Sequence, residues 1–159
     1  MNKYLKSVKE FHDAFGVKTP SSHELPKNEK DANDSIFEYS NIMNSLSCKL
    51  HFSAKIYDKD ICLLRLQLIQ EELSELALAL SQKRIVNVLD ALVDLQYVIS
   101  GTVLAFGLQD KFDAAFEEVH LSNMSKLENG QPLIDAAGRI KKGKNYFKPN
   151  LEKLFHDKD

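Results

Sequence analysis

The sequence predicts an all-α fold, and three observations support this prediction. Apolar residues recur at three- and four-residue spacing through most of the 159 residues, as core-facing helices require. Alternating apolar and polar runs typical of strands are missing from the same segments. All four prolines fall between the periodic segments. We therefore expect a helical bundle over residues 1–159 as a single domain, with a short irregular tail over 128–159.

The first half of the chain contains one clear helix and one ambiguous segment. Residues 2–15 have an apolar stripe, and Gly16 is expected to end that helix. Residues 17–34 are rich in proline, serine and charge, which predicts a loop. Residues 35–57 suit either one helix or two shorter ones. The stripe of the first helix consists of Leu5, Val8, Phe11 and Phe15.

Three further helices are predicted in the second half. Asp58 or Asp60 can cap the first, residues 86–106 form the next before Gly107, and Asp110 can cap a third that runs to about residue 127. Two glycines and Pro132 exclude a long helix beyond that point. The segment 133–140 is expected to form a small hairpin.

Composition is consistent with a soluble cytoplasmic protein. The net charge of −2 gives no global reason to expect a nucleic-acid partner. Cys48 and Cys62 lack the spacing of a metal site or a disulfide framework. No signal peptide is expected at the start. We also expect no membrane partner, because Asp90 and Asp94 interrupt the longest apolar run.

Five carboxylates on two consecutive helical segments are the strongest clue to function. They are Glu71, Glu72 and Glu75 on the first segment and Asp90 and Asp94 on the second. Residues three or four apart share one face of a helix. If the chain turns back about Gln82 and Lys83, Glu75 lies level with Asp90 and Glu72 with Asp94. Two rows of acids then face one another within apolar sequence.

Facing carboxylates repel at neutral pH unless some are protonated or a multivalent cation neutralises them. Hard oxygen ligands suit Mg²⁺, for which Mn²⁺ can substitute. Protein-bound Mg²⁺ commonly also takes phosphate oxygens from a substrate. The pattern therefore favours a magnesium-dependent phosphate enzyme. The alternative is that the acids form a solvated helix face.

These motifs resemble the MazG-like all-α nucleoside triphosphate pyrophosphohydrolases, a superfamily that includes phosphoribosyl-ATP pyrophosphohydrolase and the dimeric dUTPases. The similarity covers residues 63–155 well and residues 4–17 loosely, and residues 27–58 look like an insertion. Many relatives carry E/DxxD in the second motif, whereas this chain has Asp90-xxx-Asp94 with alanine at position 91. The resemblance implies hydrolysis of a nucleoside triphosphate to the monophosphate and pyrophosphate, with a homodimer or homotetramer as the usual assembly.

The resemblance also implies residue roles. Glu71, Glu72, Glu75, Asp90 and Asp94 would bind metal, and Glu71 or Glu72 would act on the water. The remaining candidates would contact the substrate triphosphate, its sugar or its base. They are Asn123, Lys126, Lys142, Lys144, Asn145 and Tyr146.

Two other classes of protein stay open on sequence alone. Glu117-xx-His120 is the motif that carboxylate-bridged di-iron bundles carry on each of two helices. This chain has one such motif. The other class is a non-catalytic helical interaction module, in which the acids would simply face solvent.

Overall fold

The computed structural model describes residues 1–25, 30–57 and 59–156, and within them it confirms the all-α prediction. The described residues form five α-helices and no strand. They divide into two compact units, here called unit 1 (residues 1–21 and 108–159) and unit 2 (residues 22–107). The helices are α1 (Lys3–Phe15), α2 (Lys30–Ile56), α3 (Ile61–Ser81), α4 (Ile85–Ala105) and α5 (Gln109–Met124), followed by a 3-10 turn over Glu152–Leu154.

Unit 2 consists of α2, α3 and α4, with α3 packed against both of the others. The side chain of Asp60 caps α3 by accepting the backbone N–H of Leu63, as predicted. Asp58, the other predicted cap, lies outside the described residues. The α3–α4 connection turns at Lys83, whose φ of 55° lies in the left-handed region. This tight turn makes α3 and α4 the antiparallel hairpin that the sequence predicted.

The structure corrects the prediction for α2. This helix begins at Lys30, so the predicted loop ends earlier than residue 34, and it continues unbroken to Ile56 instead of dividing into two. Serine and asparagine lower helix propensity in its centre. Packing against α3 outweighs that deficit, since tertiary contacts supply most helical stability in proteins. Ser40 and Ser47 are buried within this helix.

Unit 1 is built on α1 and α5. The ring of Tyr4 packs against Phe116 with 4.5 Å between ring centroids, and its hydroxyl donates a hydrogen bond to Asp113. Gly16 ends α1 with a φ of 68°, a conformation that residues with a Cβ rarely adopt. The start of α5 differs from the prediction. Leu108 stands at its N-cap position without a side-chain bond, and Asp110 lies in the first turn.

The end of α5 also differs, since the helix stops at Met124 instead of near residue 127. The small hairpin that follows is present as an isolated bridge between Ile134 and Ile140, in place of two strands. Its closing bond runs from the backbone N–H of Lys141 to the carbonyl of Leu133, at 2.8 Å. The predicted turn at this point of the chain is therefore confirmed.

The segment 143–154, called the tail strap below, lies along α5. The hydrogen bonds that hold it include the Gly143 N–H to the Lys126 carbonyl at 3.0 Å, the Ser122 hydroxyl to the Phe147 carbonyl at 2.8 Å, the Phe147 N–H to Ser125 Oγ at 3.1 Å, and the Asn150 N–H to Glu118 Oε1 at 2.9 Å. Lys153 adds an ion pair to Glu118. Backbone groups of the tail strap are thus bonded by side chains of Glu118, Ser122 and Ser125 and by the Lys126 carbonyl in place of a strand partner.

Helix α4 has an unusually apolar surface. Among the described residues it is the one helix long and apolar enough to cross a membrane by length and composition, with a mean hydropathy of 1.5. Asp90 and Asp94 interrupt this helix, but two aspartates do not lower its mean hydropathy enough to exclude it by length and composition. The expectation of no membrane partner stays a prediction. Core helices of soluble proteins pass the same test, so this is weak evidence for a membrane span.

Candidate functional site

The five predicted carboxylates meet across the α3–α4 hairpin of unit 2. Glu72 is half-buried, and its pKa is raised above the usual range. Burial is the largest cause, followed by the charges of Glu75, Asp94, Glu71 and Asp90 in that order. The four other carboxylates of the predicted set therefore lie close enough for their charges to raise the pKa of Glu72. Within the part of the chain that the structure describes, no ion pair involves any of the five.

A cavity of about 300 Å³ shows the register between the two acidic helices. Glu75 from α3 and Asp90 from α4 both line it, together with Gln82 and Asn87 near the hairpin turn. The shared cavity agrees with the predicted register, in which Glu75 lies level with Asp90. One turn further from the hairpin, Glu72 responds to the charge of Asp94.

Glu71 is held by a neighbour that sequence reasoning missed. The buried Gln67 donates from Nε2 to Glu71 Oε2 at 2.8 Å, and Ser74 donates its hydroxyl to the Glu71 carbonyl at 2.9 Å. Gln67 lies one helical turn before Glu71, and this four-residue spacing is the sequence feature that could have indicated their contact. The hydrogen bond fixes one oxygen of this carboxylate, and no side chain of the described residues bonds the other.

A second cavity, of about 410 Å³, lies between α2 and α3, and we call it the α2–α3 cavity. Glu71 and Glu75 stand on its α3 wall. Its α2 wall is polar and includes Asn44 and His51, which sequence reasoning did not single out. Glu75 thus borders both cavities.

The five carboxylates suit a hard divalent cation by their chemistry. All are oxygen donors, and their charges raise the pKa of Glu72 with no neighbouring lysine or arginine among its causes. Their side chains do not converge on one point as they stand, because no three His, Cys, Asp or Glu side chains of the described residues form a ready ligand set. The donor set therefore fits Mg²⁺ in kind and charge, and binding would draw the carboxylates together.

The predicted substrate residues all belong to unit 1. Lys126 Nζ donates to Asn123 Oδ1 at 2.8 Å, so these two side chains form one polar pair at the end of α5. The ammonium of Lys142 lies 4.3 Å from the ring centroid of Tyr146. The remaining two predicted residues, Lys144 and Asn145, are exposed. Lys144 forms an ion pair with Glu128, with 3.5 Å between Nζ and Oε1.

The motif of the di-iron alternative has a structural explanation. His120 is buried, and its Nε2 lies 3.2 Å from Glu10 Oε2 within unit 1. The adjacent Glu118 is not part of this motif, and its carboxylate binds the tail strap. The sequence contains no second Glu-xx-His motif. The geometry favours an α1–α5 contact at this motif over an iron site.

Comparison with known proteins agrees with the carboxylate hairpin. Residues 45–123, about half of the chain, match the family model described as phosphoribosyl-ATP pyrophosphohydrolase. The match starts inside α2 and contains all of α3 and α4. No curated protein and no solved structure gives a significant match. The match supports a pyrophosphohydrolase enzyme that acts on nucleotides. This chain therefore belongs to the MazG-like all-α nucleoside triphosphate pyrophosphohydrolase superfamily.

Proposed function

We propose that this protein hydrolyses a nucleoside triphosphate to the monophosphate and pyrophosphate in a Mg²⁺-dependent reaction at the α3–α4 carboxylates. One observation carries the proposal: Glu72 lies among four other carboxylates, and no lysine, arginine or histidine of the described residues forms an ion pair with any of the five. Such a concentration of negative charge is costly, and a divalent cation shared with a polyphosphate neutralises it. The family match supplies the reaction class.

Each carboxylate has a role in this proposal. Glu72, Glu75 and Asp94 would hold the metal, with Asp90 and Glu71 as further ligands. Bound Mg²⁺ supplies charge neutralisation to the triphosphate and lowers the pKa of a bound water. Glu71 or Glu72 would orient or deprotonate the attacking water. Gln67 would keep Glu71 in position, since it already fixes one oxygen of that carboxylate.

The reaction consumes one water and breaks the anhydride bond between the α- and β-phosphates. The oxygen of the water bonds to the phosphorus that it attacks, one of its protons passes to the general base, and the other stays on a product phosphate or is released to solvent. Lys126 and the basic residues Lys142 and Lys144 would offset phosphate charge, and Asn123, Asn145 and Tyr146 are further candidates for substrate contact. These unit 1 roles rest on the resemblance and on the charges of the side chains.

We also propose that a second copy of the chain covers the apolar face of α4. Val86, Leu89, Val93 and Tyr97 recur at three- and four-residue spacing, and each is more than half exposed. A helix of the same kind from an identical chain suits such a stripe. A bilayer suits it less, because Asp90 and Asp94 lie on the same helix and a carboxylate at membrane depth is costly. Light scattering on the purified protein should give a dimer or tetramer, whereas a monomeric mass or recovery with membranes would contradict this.

The decisive experiment measures products. We expect pyrophosphate and a nucleoside monophosphate from at least one member of a panel of canonical and modified nucleoside triphosphates with Mg²⁺, with no diphosphate accumulating. Glu72→Ala, Glu75→Ala and Asp94→Ala should each lower turnover at least about 100-fold, since even outer-shell changes at metal sites cost 10- to 100-fold. Glu38→Ala removes an exposed carboxylate of α2 and serves as the matched control.

Circular dichroism should show that the three variants keep their helices, because removing one of several like charges relieves repulsion. Wild-type turnover in all three at saturating Mg²⁺ would exclude the carboxylate hairpin as the active site. Release of single phosphates with accumulation of diphosphate would contradict the reaction itself.

A further inference from the structure

The α2–α3 cavity concentrates polar groups where a helix pair would ordinarily bury apolar side chains. Four polar side chains among the described residues of unit 2 are buried, and all four line it: Ser40 and Ser47 from α2, and Gln67 and Ser74 from α3. Burying polar groups costs free energy unless they are hydrogen-bonded. Ser40, Gln67 and Ser74 meet that requirement within their own helices, by bonds to the Phe37 carbonyl, to Glu71 Oε2 and to the Glu71 carbonyl. These bonds do not link α2 to α3, so a ligand is the better explanation for a polar lining between two packed helices.

The exposed rim of the same cavity continues this polar character. Asn41, Asn44, Cys48 and His51 lie three or four residues apart on one face of α2, and all are accessible to solvent. Among the described residues that line the cavity, none is lysine or arginine. The carboxylates of the described lining are Glu71 and Glu75, which belong to the carboxylate hairpin. A phosphate group would therefore find no lysine or arginine partner on the described α2 wall.

Neutral amide, hydroxyl and imidazole groups suit a neutral ligand with several hydrogen-bonding edges. An asparagine side chain offers both a donor and an acceptor, and a histidine ring can offer either. Nucleobases and sugars carry the complementary groups at their edges. The cavity volume of about 410 Å³ lies within the range of small-molecule sites. Apart from His51, its described lining offers no aromatic ring for stacking.

We infer that the α2–α3 cavity binds the nucleoside part of the substrate, with Asn44 and His51 as specificity-determining residues that hydrogen-bond the base or the sugar. This inference rests on the proposed function, because Glu71 and Glu75 join the cavity to the carboxylates that would bind the phosphates. It assigns the two ends of one substrate to two chemically different surfaces. The phosphates lie at the acids of α3 and α4, and the nucleoside lies against α2.

The test compares binding of the whole substrate with binding of its phosphate part alone. The KM for the best-hydrolysed nucleoside triphosphate and the Kd for inorganic tripolyphosphate are measured with Mg²⁺ for Asn44→Ala and His51→Ala. Each variant should raise KM about three- to tenfold, which is the value of one net hydrogen bond, and leave the Kd for tripolyphosphate within about twofold. Ser45→Ala and Lys49→Ala, exposed neighbours on α2 outside the cavity lining, should change neither constant. An unchanged KM in both cavity variants, or an equal loss of affinity for tripolyphosphate, overturns the inference.

A second measurement needs no turnover, so the inference can be judged even if the proposed reaction is wrong. Nucleosides without phosphate are titrated into the metal-free protein while backbone amide resonances are followed by NMR. Shifts should concentrate between Asn44 and His51 and weaken in the Asn44→Ala variant. If every nucleoside up to its solubility limit leaves these α2 resonances unmoved, the cavity is not a nucleoside site.

Discussion

Alanine substitutions at Gly143 and Gly101 should have opposite effects on stability, although a Cβ at either position makes a similarly short contact. At Gly143 the added carbon would lie 2.8 Å from the Leu127 carbonyl oxygen and 3.0 Å from that of Lys126. At Gly101 it would lie 2.9 Å from an Arg65 guanidinium nitrogen. The first neighbours are backbone atoms at the end of α5. The second is the tip of a flexible side chain.

The expected magnitudes follow from this difference. Backbone atoms cannot move aside without displacing the tail strap, so Gly143→Ala should cost about 2 kcal/mol, in the range for overpacked sites. For a chain of this size that lowers Tm by about 4–8 °C. Arg65 can rotate away, and replacing glycine within a helix gains roughly 1 kcal/mol. Gly101→Ala should therefore be neutral or raise Tm by up to about 4 °C.

Thermal unfolding followed by far-UV circular dichroism measures both shifts. Hydrogen exchange adds a local readout, because the amide of residue 143 donates to the Lys126 carbonyl and should lose protection in Gly143→Ala. Equal losses of Tm in the two variants would refute the distinction between backbone and side-chain neighbours. A fully stable Gly143→Ala protein would show that the tail strap does not press on the end of α5.

Two predictions concern titrating carboxylates. Folding raises the pKa of Glu72, so the contribution of this side chain to stability is lost as pH rises through the folded pKa. In metal-free protein, Glu72→Gln should therefore resist urea better than wild type at neutral pH, and the two should be equally stable at acidic pH below the usual glutamate range. A Glu72→Gln variant that is less stable than wild type at neutral pH would contradict this. The hydrogen bonds from Lys153 and the Asn150 N–H lower the pKa of Glu118, so its contribution is present at neutral pH and lost as pH falls through the folded pKa. Protease should cleave the tail strap faster in Glu118→Gln than in wild type at neutral pH, and the two cleavage rates should become equal at acidic pH. Identical cleavage rates at every pH would show that Glu118 does not anchor the strap.

Local rules were sufficient for the helices that carry the carboxylates. The apolar periodicity of α3 and α4, the cap at Asp60 and the short polar turn before α4 depend on neighbouring residues, so the sequence alone predicts the hairpin. The register across the pair follows from counting residues back from that turn. These rules also predicted the end of α1 at Gly16.

Long-range packing decides the features that the sequence did not reveal. The serines and asparagines of α2 predict weak helix, and only contact with α3 shows that they line a cavity. The tail strap bonds to Glu118 and Ser122 across 25 or more residues, and no local pattern signals such contacts. The start of α2 at Lys30 was missed because nearby prolines and charges resemble a loop.

The division into units has a consequence for the order of folding. Unit 2 is one continuous stretch of residues, so all of its contacts are available once residue 107 has been synthesised. Unit 1 joins residues 1–21 to residues 108–159, so α1 must wait for α5 while the whole of unit 2 is made between them. Contacts of such high sequence separation form late, because the loop between them must first be closed. Until then, the apolar stripe of α1 is without its partner helix and depends on rapid completion of the chain to avoid association with other molecules.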